Sequence, residues 1–278
     1  MVPIWWSLDS EIGAPLLNNI LVFDIETVAD IDAYRLLKGG LPELDDQDTY
    51  QLMCSERLAD TGNTFMRHHL QKVVAISLVM KTANGVRLWS LGDEESSEYE
   101  LISRFFQGID KFSPTLVSWN GNGFDLPVLQ YRALFHGINA QRYFEIGDDD
   151  RDFRYNNYLS RFHWRHIDMM DVLSGFQARA SASLSDIAKL CGFPGKLDID
   201  GSAVQTMWDE GNISDIRHYC ETDVLNTYLV YLRFELLRGQ ISEHECQRAI
   251  GEVQELLSRS EAEHLQYFLQ AWAALSNG

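Results

Sequence analysis

Leu21, Phe23 and Ile25 alternate with Val22, Asp24 and Glu26, and this two-residue period predicts a buried strand over Asn19 to Thr27. Residues from about 30 to 70 are more polar and read as helices joined by loops. A β-branched run from Val73 to Met80, the turn signal Asn84-Gly85 and the run Val86 to Leu91 predict a hairpin. Apolar positions then recur at helical spacing over Glu98 to Phe112. A short strand follows at Thr115 to Trp119, then a helix from Phe124 that Gly137 ends. His166 to Val172 begins as a strand, and Leu184 to Cys191 is a short helix before Gly192. The longest helical pattern covers Asn212 to Arg238, with Asn212 or Ser214 as N-cap and Gly239 as stop. Two amphipathic helices close the chain, at about Glu243 to Leu257 and Glu261 to Leu275. No repeat or low-complexity linker divides the pattern. One domain over residues 1–278 is expected, of mixed α/β layers.

The chain has 278 residues, 45% of them hydrophobic, which is enough for an ordinary core. No apolar run is long enough to cross a bilayer, and the opening Met1-Val2-Pro3-Ile4-Trp5-Trp6 lacks the basic and apolar regions of a signal peptide. Cys54, Cys191, Cys220 and Cys246 are too scattered for a metal knuckle or a redox pair, and read as small core residues. Free thiols suit a reducing compartment, so a cytoplasmic protein is expected. The 23 basic and 41 acidic residues leave a net charge of −18, which opposes broad, non-specific nucleic-acid binding. It leaves room for an enzyme that grips a few nucleotides through metal ions and a local basic patch.

Three distant segments carry the candidate chemistry: Phe23-Asp24-Ile25-Glu26-Thr27, Asn120-Gly121-Asn122-Gly123-Phe124-Asp125-Leu126-Pro127 and Tyr219-Cys220-Glu221-Thr222-Asp223. Asp24 and Glu26 lie two apart on a strand, so their side chains leave one face. Burying both is costly unless cations neutralise them, while a strand end emerging into water would need no cation. Asp125 opens a helix after a glycine-rich turn, and could be its N-cap as well as a ligand. Tyr219 and Asp223 are four apart on a helix, hence on one side, beside the apolar positions Ile216, Val224, Tyr228 and Tyr231. Asp168 reads either as a helix N-cap or, if its strand lies next to the first, as a group orienting a ligand.

Together these segments resemble the DEDD superfamily of 3′–5′ exonucleases, above all the proofreading exonuclease domain of family B DNA polymerases. The stretches Ser183 to Gly201 and Tyr219 to Arg233 are closer still to stand-alone bacterial exonucleases related to that domain. The resemblance covers residues 18–238 and leaves 239–278 as a C-terminal helical extension. It implies a ribonuclease H-like mixed sheet flanked by helices, an arrangement that the order of elements also fits. It implies two divalent ions, Mg²⁺ or Mn²⁺, with Asp24, Glu26 and Asp223 holding one, Asp24 bridging to the second and Asp125 assisting. Hydrolysis at single-stranded 3′ ends would follow, on DNA more than on RNA. An exoribonuclease, a phosphatase on small nucleotides, which the charge favours, and a silent binding module of the same fold are the alternatives. With no polymerase palm in the remaining chain, a free-standing nuclease is expected. In this superfamily either Tyr or His precedes the last Asp. Tyr219 and His218 are both available, and helical stacking on Asp223 favours Tyr219.

Substrate contacts are expected from Asn120, Asn122, Phe124, Lys196 and the segment Arg151 to His166. In that segment arginines and histidines interleave with aromatics, and Arg154 and Trp164 are the leading candidates for holding phosphates and stacking unpaired bases. A packed loop with a charged outer face would give the same composition. Gly195-Lys196 and Asp198-Ile199-Asp200-Gly201 lack the residues of a phosphate loop and a calcium loop, and read as turns.

Overall fold

A computed structural model describes residues 19–39, 44–197 and 201–275. In chain order the elements are β1 (Ile20–Ala29), α1 (Ile31–Lys38), α2 (Asp46–Thr61), β2 (Gln71–Thr82), β3 (Gly85–Ser90), α3 (Glu98–Phe112), β4 (Thr115–Ser118), α4 (Asp125–His136), β5 (His166–Asp168), α5 (Met169–Leu173), α6 (Leu184–Leu190), α7 (Val204–Asp209), α8 (Ile213–Leu237), α9 (Glu243–Ser258) and α10 (Glu263–Leu275). The five strands form one sheet in the order β3-β2-β1-β4-β5. β1 is antiparallel to β2 and parallel to β4, and β5 is parallel to β4. This is the ribonuclease H-like arrangement that the order of elements predicts. β5 lies beside β4, not β1, so Asp168 does not flank the first strand as the sequence allowed.

The alternation in β1 sorts its side chains onto two faces. Leu21, Phe23 and Ile25 join a core with Leu101, Phe105 and Ile109 of α3 and Leu126 and Leu129 of α4. Val22 and Val28 point the other way, Val22 into a core with Val224, Tyr228 and Leu229 of α8 and Val28 against Ile216, Tyr219 and Cys220. Asp24 and Glu26 fall on that second side, beneath α8. The closing helices share the same core through Cys246, Ile250, Val253, Phe268 and Trp272. The hydrophobic pattern misses α5, whose residues were read within a strand, and α7, in each of which a single residue is buried, Met169 and Val204.

β4 has four residues and pairs with β1 only from Ile20 to Val22. Beyond that point the edge of β1 is open on the β4 side. Two side chains take up its free N–H groups: Asp125 Oδ1 accepts from Ile25 N at 3.3 Å and Gln205 Oε1 from Ala29 N at 2.9 Å. The loop after β4 turns sharply. Asn120 has φ 65, and a Cβ on Gly121 would meet Ser118 Oγ at 2.0 Å. Asp168 clamps this loop by accepting from Asn120 N at 3.0 Å and Asn122 N at 2.8 Å, while capping α5 through Met170 N and Asp171 N. Asp168 is thus the helix N-cap that the sequence offered, and its remaining bonds hold the loop.

A buried ion network fixes α4 from below. Arg132 reaches Asp30 at 2.6 Å and Glu98 at 2.5 Å, and Glu98 also accepts from Val73 N at 2.7 Å. These bonds tie α4 to α1, α3 and β2. Replacing Arg132 by Met leaves two buried carboxylates without their cation. The expected loss of unfolding free energy is about 3–5 kcal/mol in chemical denaturation. A loss under about 1 kcal/mol would mean that water reaches Asp30 and Glu98 freely.

Candidate active site

The four predicted carboxylates converge from three directions. Asp24 and Glu26 come from β1, Asp125 from the first turn of α4 and Asp223 from the middle of α8. Glu26, Asp125 and Asp223 are buried and Asp24 is half-buried. Asp125 is not the N-cap of its helix: Phe124 holds that position without a side-chain cap bond, and the Asp125 carboxylate turns to β1. The strand-end alternative for Asp24 and Glu26 also fails, because α8 covers them.

Packing carboxylates together out of water raises their proton affinity. Burial, then the charges of Asp125 and Asp223, holds Asp24 well above the usual range; burial and the charges of Asp24 and Asp223 do the same to Glu26. Burial pushes Asp125 up to about 7, with Asp168 adding to the effect and its own and the Ile25 N–H groups opposing it. Asp223 is raised by burial, against Lys196 and Tyr219. Asp223 Oδ1 is buried and has no hydrogen-bond partner among the described residues. A cation would satisfy an acceptor left in that state. Asp24, Glu26 and Cys220 each offer a donor atom, all within 4.8 Å of one another, so one divalent ion could span them.

Lys196 is the cation that the cluster contains. Its Nζ lies 2.5 Å from the Tyr219 hydroxyl and 3.8 Å from Asp223 Oδ2. The ammonium donates to the phenolic oxygen, so the phenol hydrogen is free to point at an acceptor. Burial and the charges of Asp223, Glu26 and Asp24 raise the pKa of Tyr219, which keeps it a phenol. Lys196 is set by the residue before it. Gly195 has φ 68, and a Cβ there would meet Ser185 O at 2.8 Å. The Asn226 amide holds Gly195 on both sides, accepting from its N–H and donating to its carbonyl, each at 3.0 Å. Residues 198–200, read as a turn, lie outside the described residues.

His218 faces away from the cluster. Its ring stacks on His264 of α10 with centroids 3.9 Å apart, and its Nδ1 lies 3.9 Å from Asp215. Helical geometry therefore separates the two neighbours as the sequence argument expects, with Tyr219 inward and His218 outward.

The expected substrate contacts divide. Phe124 stands beside Asp125, its ring tilted against Phe65 at 5.5 Å. The Asn122 side chain is already engaged, donating to Asp171 at 2.9 Å, and Asn120 gives the loop its left-handed bend. Arg154 is exposed in the loop that follows Glu145. Trp164 is placed elsewhere, stacked on Phe234 and under Arg238, eleven residues along α8 from Asp223 or roughly 16 Å. Much of the segment 151–166 is structural: Phe153 and Tyr158 are core, and Arg142 and Arg165 lie over the Phe153 ring. Sequence reasoning missed Asn226 and Cys220. Cys220, taken for plain core, has its Sγ 3.4 Å from the Asp24 carbonyl. The signal was present, since both lie three residues from Asp223 on α8.

Residues 63–272 match the profile of a family described as "Predicted 3′-5′ exonuclease related to the exonuclease domain of PolB". Among curated proteins, a DNA polymerase of Thermococcus kodakarensis is 26% identical over 269 residues, 92% of this chain and 15% of its own length. The catalytic subunit of DNA polymerase epsilon from Schizosaccharomyces pombe is 28% identical over 144 residues, 50% of this chain and 6% of its own. The chain therefore spans a small fraction of the polymerases it matches. Among solved structures, the family B DNA polymerase of Pyrobaculum calidifontis aligns with 80% of this chain and 26% of its own, at 19% identity and a TM-score of 0.46. No helix among the described residues is long and apolar enough to cross a membrane. With three quarters of its length matched by the profile, the chain belongs to the family of predicted 3′–5′ exonucleases related to the exonuclease domain of PolB.

Proposed function

We propose that the protein hydrolyses phosphodiester bonds at the 3′ ends of single-stranded nucleic acid, DNA before RNA, as a metal-dependent 3′–5′ exonuclease. The observation that carries this reading is the convergence of four buried or half-buried carboxylates, one oxygen of which, on Asp223, has no partner among the described residues. Hard oxygen donors in this number suit Mg²⁺ or Mn²⁺. Asp24, Glu26 and Asp223 would hold one ion, and Asp24 with Asp125 a second. When bound, the pair supplies activation of the attacking water and stabilisation of the leaving 3′-oxygen.

The chain's own groups do the rest. Tyr219 is a phenol at neutral pH, so it orients the attacking water by hydrogen bonding and does not remove its proton. Lys196 fixes the phenol's direction and places positive charge where the scissile phosphate gathers negative charge. Gly195 and Asn226 keep Lys196 in reach. The Phe124 ring, beside Asp125 at the end of the loop that starts at Asn120, would contact the terminal base. None of these groups reads a 2′-hydroxyl, so hydrolysis of matched DNA and RNA strands measures the preference directly.

Asp24→Ala is expected to cut turnover at least ~100-fold while the far-ultraviolet circular dichroism is retained. A rate near wild type would end the two-ion reading. Tyr219→Phe should lower turnover about 100-fold with little change in substrate affinity, and His218→Ala should be mild. The opposite ranking would assign the water-orienting role to the histidine.

Stability should follow the carboxylates. Asp125 binds its proton more tightly folded, at about 7, than unfolded, near 3.8, and Asp24 and Glu26 shift the same way. Between those values the folded state holds more protons, so unfolding free energy falls as pH rises. In metal-free buffer the thermal midpoint should drop from pH 5 to pH 8. Added Mg²⁺ should raise it more at pH 8 than at pH 5. A midpoint that rises with pH in the presence of a chelator would contradict the assignment.

A further inference from the structure

A second group of side chains, partly in water, is linked through Asp171 and Asn122 to the loop that delivers Asp125. The Phe162 and Phe176 rings meet edge to face with centroids 4.9 Å apart, and they are 68% and 37% exposed. The Arg161 guanidinium stands 6.0 Å and 5.4 Å from the two ring centres. Arg161 is bonded to Asp171 at 2.8 Å, and the other oxygen of Asp171 accepts from Asn122 Nδ2 at 2.9 Å. Asn122 belongs to the loop that delivers Asp125 three residues later. The group is therefore fixed to the frame of the site by charged bonds.

Its backbone makes the left-handed turn that ends α5. Phe176 has φ 61, directly after Gly175 with the same value. A left-handed backbone is uncommon for an aromatic residue and natural for glycine. Phe176 N donates to Asp171 O at 2.8 Å, so the turn closes on the residue that also holds Arg161 and Asn122. The turn thereby holds the Phe176 ring beside Phe162 and partly in water, where a base face can reach it. Elsewhere the same pairing of arginine with aromatic is absorbed by the core, as at Phe153.

We propose that Arg161, Phe162 and Phe176 form a stacking platform for unpaired nucleobases of the strand whose 3′ end occupies the carboxylate cluster. The inference rests on the exonuclease reading and adds a subsite to it. Base faces stack on rings and guanidinium planes without regard to sequence, and this gives grip to a chain whose net charge of −18 repels a phosphate backbone. The ligand class is a single strand long enough to reach past the terminal nucleotide, DNA or RNA alike.

The test uses the full chain with fluorescent oligothymidylate and oligouridylate, bound in Ca²⁺ and hydrolysed in Mg²⁺, and with the p-nitrophenyl ester of thymidine 5′-monophosphate, which is too short to reach the platform. Phe162→Ala and Phe176→Gly should each weaken binding of both oligonucleotides about tenfold and raise their KM, leaving kcat on the short ester unchanged. Phe176→Gly should unfold at the wild-type temperature or above, because glycine relieves the backbone. Oligonucleotide affinity within about twofold of wild type in both variants overturns the platform. So does a change of oligomeric state in both variants with affinity unchanged, which would make the rings a protein interface. If the wild-type protein neither binds nor cleaves the oligonucleotides, the exonuclease reading itself fails and the platform falls with it.

Discussion

Mutual repulsion among four carboxylates held out of water is the constraint around which the rest is built. Each of them is pushed toward its protonated form by burial. Such a cluster persists only if the scaffold fixes it and a cation repays it. The scaffold does so through backbone geometry. β4 stops after four residues, which opens the edge of β1, and the Asp125 carboxylate docks on the Ile25 N–H left bare there. Arg132 anchors α4, the helix that Asp125 opens, through Asp30 and Glu98. α8 lies across β1 and lowers Asp223 onto the pair Asp24 and Glu26. Lys196 supplies one positive charge from within, at 3.8 Å from Asp223.

The same charge balance shapes how such a site can meet a nucleic acid. An acidic surface repels phosphates at a distance, so attraction must be local. In this account it comes from bound divalent ions, from Lys196 and from ring faces. Arg142 and Arg165 are committed to the fold, both lying over Phe153 and Arg165 also donating to the Asn156 carbonyl, while Arg151 and Arg154 are exposed. Arg161 differs from Arg142 and Arg165, since it is half in water and tied through Asp171 to the loop that delivers Asp125.

Much of the fold was legible because its signals are local. The period-two alternation of β1 assigned Asp24 and Glu26 to one face, and the helical spacing over Glu98 to Phe112 fixed α3 to the residue. Four-residue spacing placed Tyr219 with Asp223 and turned His218 outward. What escaped was long-range. Trp164 reads as an exposed aromatic among basic residues, and only the path of α8 shows that Phe234 and Arg238 claim it. The short β4 was legible, but the docking of Asp125 on the β1 edge left open beyond it was not, so Asp125 read equally well as a cap. Asn226 and Cys220 were overlooked for another reason. A buried Asn clamping a glycine backbone and a thiol against a carbonyl need the neighbouring segment before they acquire a partner.

The central claim is that Asp24, Glu26, Asp125 and Asp223 form one site for two divalent ions. Electron paramagnetic resonance of Mn²⁺ titrated into the chelator-treated protein tests it most directly, because it counts bound ions and detects whether they are close enough to couple. Two Mn²⁺ per chain with an exchange-coupled spectrum, lost in Asp24→Asn, is the predicted result. Fewer than two Mn²⁺ per wild-type chain, or a coupled spectrum that persists in Asp24→Asn, would contradict it.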